Sequence, residues 1–153
     1  MPVKEENKIR FISAMFNLVK TIKNESEISS KLCGGLNEKE LFIIVFVGQN
    51  ENVKMSDIAD DLEAPLSTIT SIVDKLVEKK YLSRDHSDED RRVINVSLTQ
   101  NGKKAYKISL DRKQTMAERV LIQFTEREQN TFIDHLNKLA ASINSKNNAA
   151  KDP

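Results

Sequence analysis

The sequence predicts a mainly α-helical chain with one β-hairpin in its second half. Three observations carry that prediction. Apolar residues recur at spacings of three and four over most of the length. Only four glycines and three prolines occur in 153 residues, too few for a loop-rich or all-β fold. A run of strict alternation, Ile94, Val96 and Leu98 against Asn95 and Ser97, comes late in the chain. With 39% hydrophobic and 31% charged residues the chain has enough apolar material for a core of single-domain size.

Ile9, Ile12, Phe16 and Val19 stripe one face of a long first helix that reaches about Ser29. The Gly34-Gly35 pair breaks the pattern, and Leu36 to Gly48 resumes as a short helix. Leu41, Phe42, Ile44, Val45 and Phe46 make it apolar enough to be central. Asn50 to Lys54 reads as a polar loop. Ser56 and Asp57 then start a short helix to Leu62, the hydroxyl capping free N–H groups and the carboxylate favouring the positive dipole end. Glu63, Ala64 and Pro65 interrupt it, and proline suits the first turn of the helix from Leu66 to Lys79. Ile69, Ile72, Val73 and Leu76 give that helix an inward face, while Ser67, Thr68, Thr70, Ser71 and Lys75 occupy the rest.

Tyr81 to Arg84 and Val93 to Leu98 are strand-like, separated by a tip rich in both acids and arginines. Thr99 is placed to cap the next helix, which continues past Tyr106, Ile108 and Leu110 to about Phe124. Thr125-Glu126 restarts a last helix with Phe132, Leu136, Leu139 and Ile143 on one face, and Asn144 to Pro153 is polar and expected to fray. Two short helices joined by a tight turn and followed by a hairpin describe a winged helix-turn-helix, which holds one helix ready for the DNA major groove. The terminal helices carry more apolar face than one small head covers, so they are expected to pack against a second copy. The expected organisation is residues 1–35 and 103–146 as a helical dimerisation region, 36–102 as the winged helix-turn-helix, and 147–153 as a flexible tail.

The net charge is +1, so no whole-molecule field draws the chain to nucleic acid or an anionic membrane. No apolar stretch approaches the roughly 20 residues of a membrane span. The N-terminus is polar from Met1 to Asn7, unlike a secretory signal, and the expected location is the cytoplasm. Cys33 is the sole cysteine, which excludes an intramolecular disulfide and a thiolate cluster within one chain. His86 and His135 are the only histidines and have no ligand-spaced partners, so neither a metal site nor a cofactor is expected. No phosphate loop, nucleophile elbow, zinc-protease helix or Ser/His/Asp arrangement appears, and the chain does not read as an enzyme.

From Leu36 through "MSDIADDL", "STITSIVDKLVEKKYLSR" and "DEDRRVINVSLTQNG" to Gly102, the chain resembles the MarR family of bacterial transcriptional regulators. The resemblance implies a homodimer with interlocking terminal helices, binding double-stranded DNA at an inverted-repeat operator. It implies that the helix from Leu66 enters the major groove, with Ser67, Thr68, Thr70, Ser71 and Lys75 near bases or phosphates; hydroxyls suit either base pair. It also implies that Arg92, beside Arg91, enters the minor groove, where negative potential is concentrated, while Asp90 holds the guanidinium extended. Taken alone, the same tip reads as a solvated mixture of charges.

This chain departs from the family pattern at Pro65 and Leu66, where polar residues are usual, at Ser71, where arginine is frequent, and at Lys80, where a helix-ending glycine is common. Between Met55 and Arg92 there are six basic and ten acidic residues, a balance of −4, so salt-sensitive binding is expected. That balance also suits an alternative, a winged-helix protein-interaction module with little DNA affinity.

Some relatives respond to small aromatic compounds in a crevice between the dimer helices and the reading head. Met15, Phe16, Phe42 and Phe46 are the candidates for lining it, although residues at such spacings mostly serve as core. Other relatives sense oxidants through a cysteine early in the first helix; Cys33 lies after that helix, so a small buried hydrophobe is the expected role.

Overall fold

The computed structural model describes residues 2–86 and 94–149. Its elements are α1 (Glu5–Leu32), α2 (Glu38–Gln49), β1 (Val53–Lys54), α3 (Met55–Asp61), α4 (Leu66–Glu78), β2 (Leu82–His86), β3 (Ile94–Leu98), α5 (Gln100–Leu121) and α6 (Glu126–Ala149). The chain divides into two compact units, residues 1–112 and 113–153.

In the first unit the predicted hairpin is part of a three-stranded antiparallel sheet ordered β1-β3-β2. Asn50 to Lys54 is therefore not all loop. Val53 pairs with Val96 and Lys54 with Asn95, and Val53 is buried. On the other side of β3, five consecutive pairs run from Leu82 with Leu98 to His86 with Ile94.

One core fills this unit, built from Leu36, Ile43 and Ile44 of α2 and its approach, Ile58 of α3, Ile69, Val73 and Leu76 of α4, and Val53, Leu82 and Val96 of the sheet. The central position expected of α2 follows from its having apolar residues on several faces, while α4 buries only its Ile69, Val73 and Leu76 stripe.

Helix ends explain how short helices turn so tightly here. At the end of α1 the Gly35 N–H reaches the Ser30 carbonyl at 2.8 Å, and Gly34 and Gly35 both have positive φ. The same closure ends α3, from Ala64 to Ala59 at 3.0 Å, and α4, from Tyr81 to Leu76 at 2.8 Å. In those two the left-handed residue is not glycine but Glu63 (φ 46°) and Lys80 (φ 62°). The departure noted at Lys80 thus falls on a strained backbone position.

One helix start differs from the expected one. The helix expected from Ser56 begins at Met55, and the cap is reversed: the Asp57 carboxylate accepts the Lys54 N–H at 2.8 Å. α4 begins at Leu66 as expected, with Pro65 immediately before it. Thr99 does cap α5, its Oγ1 accepting the Gly102 N–H at 3.2 Å.

No residue of α1 is buried, and Ile9, Ile12, Phe16 and Val19 are each more than half exposed. Arg112 of α5 donates to Glu25 of α1 at 2.6 Å. In the second unit Phe124 stacks on Phe132, and Thr125 with Glu128 forms the start of α6. The α6 backbone continues to Ala149, three residues into the expected tail; residues 150–153 lie outside those described.

Candidate nucleic-acid interface

The face that α4 turns outward begins with its amphipathic spacing. With Ile69, Val73 and Leu76 fully buried and Ile72 packed partly against the core, the polar positions between them are left on the outer side. Ser67, Thr68, Ser71 and Lys75 are exposed and Thr70 is partly so. The structure thus brings together all five residues expected on this helix. Thr70 differs from the others: its hydroxyl donates to the Leu66 carbonyl at 2.8 Å, so its oxygen faces a partner only as an acceptor.

The wing stem is the β2–β3 ladder. Asp90, Arg91 and Arg92, at the expected tip, lie outside the described residues. At the base of the stem Arg84 of β2 forms an ion pair with Asp74 of α4, and its Nη2 lies 4.0 Å from Met55 Sδ at the start of α3. Three elements of the helix-turn-helix meet at this one guanidinium.

A second cross-link fixes the other end of α4. Glu40 of α2 is almost wholly buried and accepts from Lys79 Nζ at 2.8 Å and from the Asn37 N–H at 2.9 Å. Burial opposes its charge, but the hydrogen bonds from Lys79 and Asn37 and the field of Lys79 and Lys75 outweigh burial and hold the carboxyl below its ordinary pKa. Neither ion pair was expected from the sequence, because their partners are ten and 39 residues apart. The N-terminal half of the second was legible: Asn37 and Glu40 have capping-box spacing.

The "SLTQNG" exit from the wing also has a physical account. Thr99 Oγ1 lies 2.6 Å from the Lys80 carbonyl and 3.0 Å from that of Tyr81, tying the start of α5 to the turn after α4. Gly102 lies against that turn so closely that a Cβ would come 2.1 Å from the Tyr81 oxygen. Threonine and glycine at this spacing hold the wing stem to α4.

The residues expected to line an effector crevice are dispersed in burial. Phe16 is 74% and Phe42 42% exposed, Met15 is partly buried, and Phe46 packs on the core. A groove of about 630 Å³ between α1 and the start of α2 is lined by Val19, Ile22, Ser26, Ser30 and Asn37 among others, and by none of those four. Cys33 is buried beside the Ala105 carbonyl, and burial raises its pKa. Among the described residues no helix is long and apolar enough to cross a membrane.

A tri-helical head with a three-stranded sheet and an outward hydroxyl-bearing helix defines a winged helix-turn-helix protein. The MarR family profile matches residues 36–94. The chain is 32% identical over 120 residues to the HTH-type transcriptional regulator YpoP of Bacillus subtilis, covering 78% of this chain and 84% of YpoP. It is also 32% identical to the transcriptional repressor MdtR of B. subtilis, over 61% of each. Its fold matches that of Streptococcus pneumoniae FabT, solved in complex with DNA, with a TM-score of 0.76 at 23% identity over 93% of this chain and 99% of FabT. The chain belongs to the MarR family of transcriptional regulators. It is a regulator rather than an enzyme.

Proposed function

We propose that this chain is a homodimeric repressor that binds an inverted-repeat DNA operator. The observation that carries the reading is the outward face of α4, with Ser67, Thr68, Ser71 and Lys75 exposed on a helix whose opposite face is locked into the core. A helix so held presents hydroxyls and an ammonium to bases and phosphates without reordering. The wing residues Asp90, Arg91 and Arg92 complete the contact, Arg92 entering the minor groove. FabT, crystallised on DNA, and MdtR, a named repressor, support the same direction.

The exposed apolar residues of α1, and separately those of the α5–α6 unit such as Ile122, Ile133 and Leu136, support burial against a second copy. Dimerisation also addresses the unfavourable −4 balance, because two heads on one duplex multiply modest affinities. The effector reading rests on Met15, Phe16, Phe42 and Phe46, two of which present exposed aromatic rings. It is tested by displacement of bound DNA by phenolic compounds.

The central test is selection of bound duplexes from a random pool at low salt. Enrichment of a palindromic sequence is expected, with Arg92→Ala binding that sequence at least 10-fold more weakly. Light scattering should give twice the monomer mass. No enrichment at any salt, together with a stoichiometric protein partner recovered on the same face, would select the interaction-module reading instead.

A further inference from the structure

We infer that Asp74 and Arg84 are positioning residues for DNA recognition, the arginine masking a carboxylate on the reading face and clamping the wing stem to α4. The inference rests on the DNA-binding reading above. Ser67, Ser71 and Asp74 follow one another at spacings of four and three, so they share a stripe of α4. A duplex that approaches Ser67 and Ser71 therefore approaches Asp74 as well. A bare carboxylate there would repel phosphates in a head that already carries a −4 balance.

Arg84 meets that carboxylate from β2, with its own side chain 27% exposed and that of Asp74 56% exposed. The Nη2 side of the guanidinium lies against Met55, and Nε is buried with no hydrogen-bond partner among the described residues. Its polar hold on this face is thus the Asp74 carboxylate. An ion pair this open contributes little to stability. Its geometry does more: it joins the reading helix directly to the strand that carries the wing, so the angle between the two contacts is set before DNA arrives. A preset angle favours the sequence whose groove geometry fits and does nothing for arbitrary duplexes.

The test uses the full-length chain and two probes: the duplex that wild type enriches from a random pool, and a scrambled duplex of equal length. Asp74→Asn removes a negative charge, so electrostatics alone makes both probes bind more tightly. The inference requires the opposite for the enriched duplex. Discrimination between the two should fall by up to about 5-fold, the most that an ion pair this open can hold in place, in both Asp74→Asn and Arg84→Ala, with melting temperatures near wild type. The exchanged pair, Asp74→Arg with Arg84→Asp, should recover part of the loss.

If Asp74→Asn discriminates as well as wild type while Arg84→Ala binds both probes more weakly and lowers the salt slope by about one, Arg84 is a plain phosphate contact and the inference fails. It fails equally if both variants lose both probes in proportion to a lowered melting temperature. If wild type enriches no sequence, the DNA-binding reading itself fails and takes the inference with it.

Discussion

Gly102→Ala separates packing from helix propensity, because the two predict opposite signs. Gly102 lies in the first turn of α5, where alanine is the better helix former by up to about 1 kcal/mol. Against that, the new methyl would stand 2.1 Å from the Tyr81 oxygen and 3.1 Å from Leu98 Cδ2. Restoring ordinary contact requires a shift of about 1 Å between α5 and the turn after α4. The carbonyl is not free to give way. It accepts from the Thr99 N–H at 3.1 Å and lies 3.0 Å from Thr99 Oγ1, while the Tyr81 N–H is tied to Leu76 at 2.8 Å.

Overpacking of this kind costs about 1–3 kcal/mol. Crowding against a pinned backbone belongs at the upper end, so a net loss of about 2 kcal/mol remains after the propensity gain. For a chain of this length that lowers the melting temperature by roughly 4–8 °C. The assay is thermal and urea unfolding at one fixed protein concentration, with hydrogen exchange at the Thr99 amide as the local readout. An unchanged or raised melting temperature would refute the claim that the wing stem is held by this close approach.

Lys80→Gly removes a side chain from a left-handed position, and strain relief of about 1–2 kcal/mol outweighs the added freedom of the unfolded chain, so the urea midpoint should rise. At Gly35 the reverse change is purely conformational: Gly35→Ala meets no atom within 4 Å, yet φ of 79° should make it destabilising by about 1–2 kcal/mol in the same assay. Glu40 has a lowered pKa in the fold, so its contribution is present above the unfolded value and lost as pH falls through the folded one. Unfolding free energy should therefore drop below about pH 4.5, and the drop should be shallower in Glu40→Gln. Cys33, buried and with its thiol pKa raised, should react with a thiol reagent only as fast as the chain opens, and at once in denaturant.

Local order was readable in the residues. Periodicity marked the long helices and the buried stripe of α4, and alternation marked β3, because these patterns record which side of an element is kept from water. β1 escaped notice: a two-residue strand has no period of its own and exists by pairing with Val96 and Asn95, more than 40 positions away. Ser56 looked like a cap, but Asp57 provides the cap because the helix begins one residue earlier, where the β1 ladder ends. Phe16, Phe42 and Phe46 were grouped by the family resemblance as crevice candidates, and of the three only Phe46 packs on the core.

By itself, then, the chain's order of residues determined the helices, the turn between α3 and α4, the hydroxyl-bearing side of α4 and the family. Tertiary structure alone decided which charges meet. Asp74 finds Arg84 and Glu40 finds Lys79 only when α2, α4 and β2 are packed together, and Gly102 is indispensable only because the Tyr81 carbonyl comes to lie against it. The reason is range: helix and strand periodicity are set by neighbours a few residues away, whereas an ion pair or a close approach depends on segments whose separation no local pattern encodes.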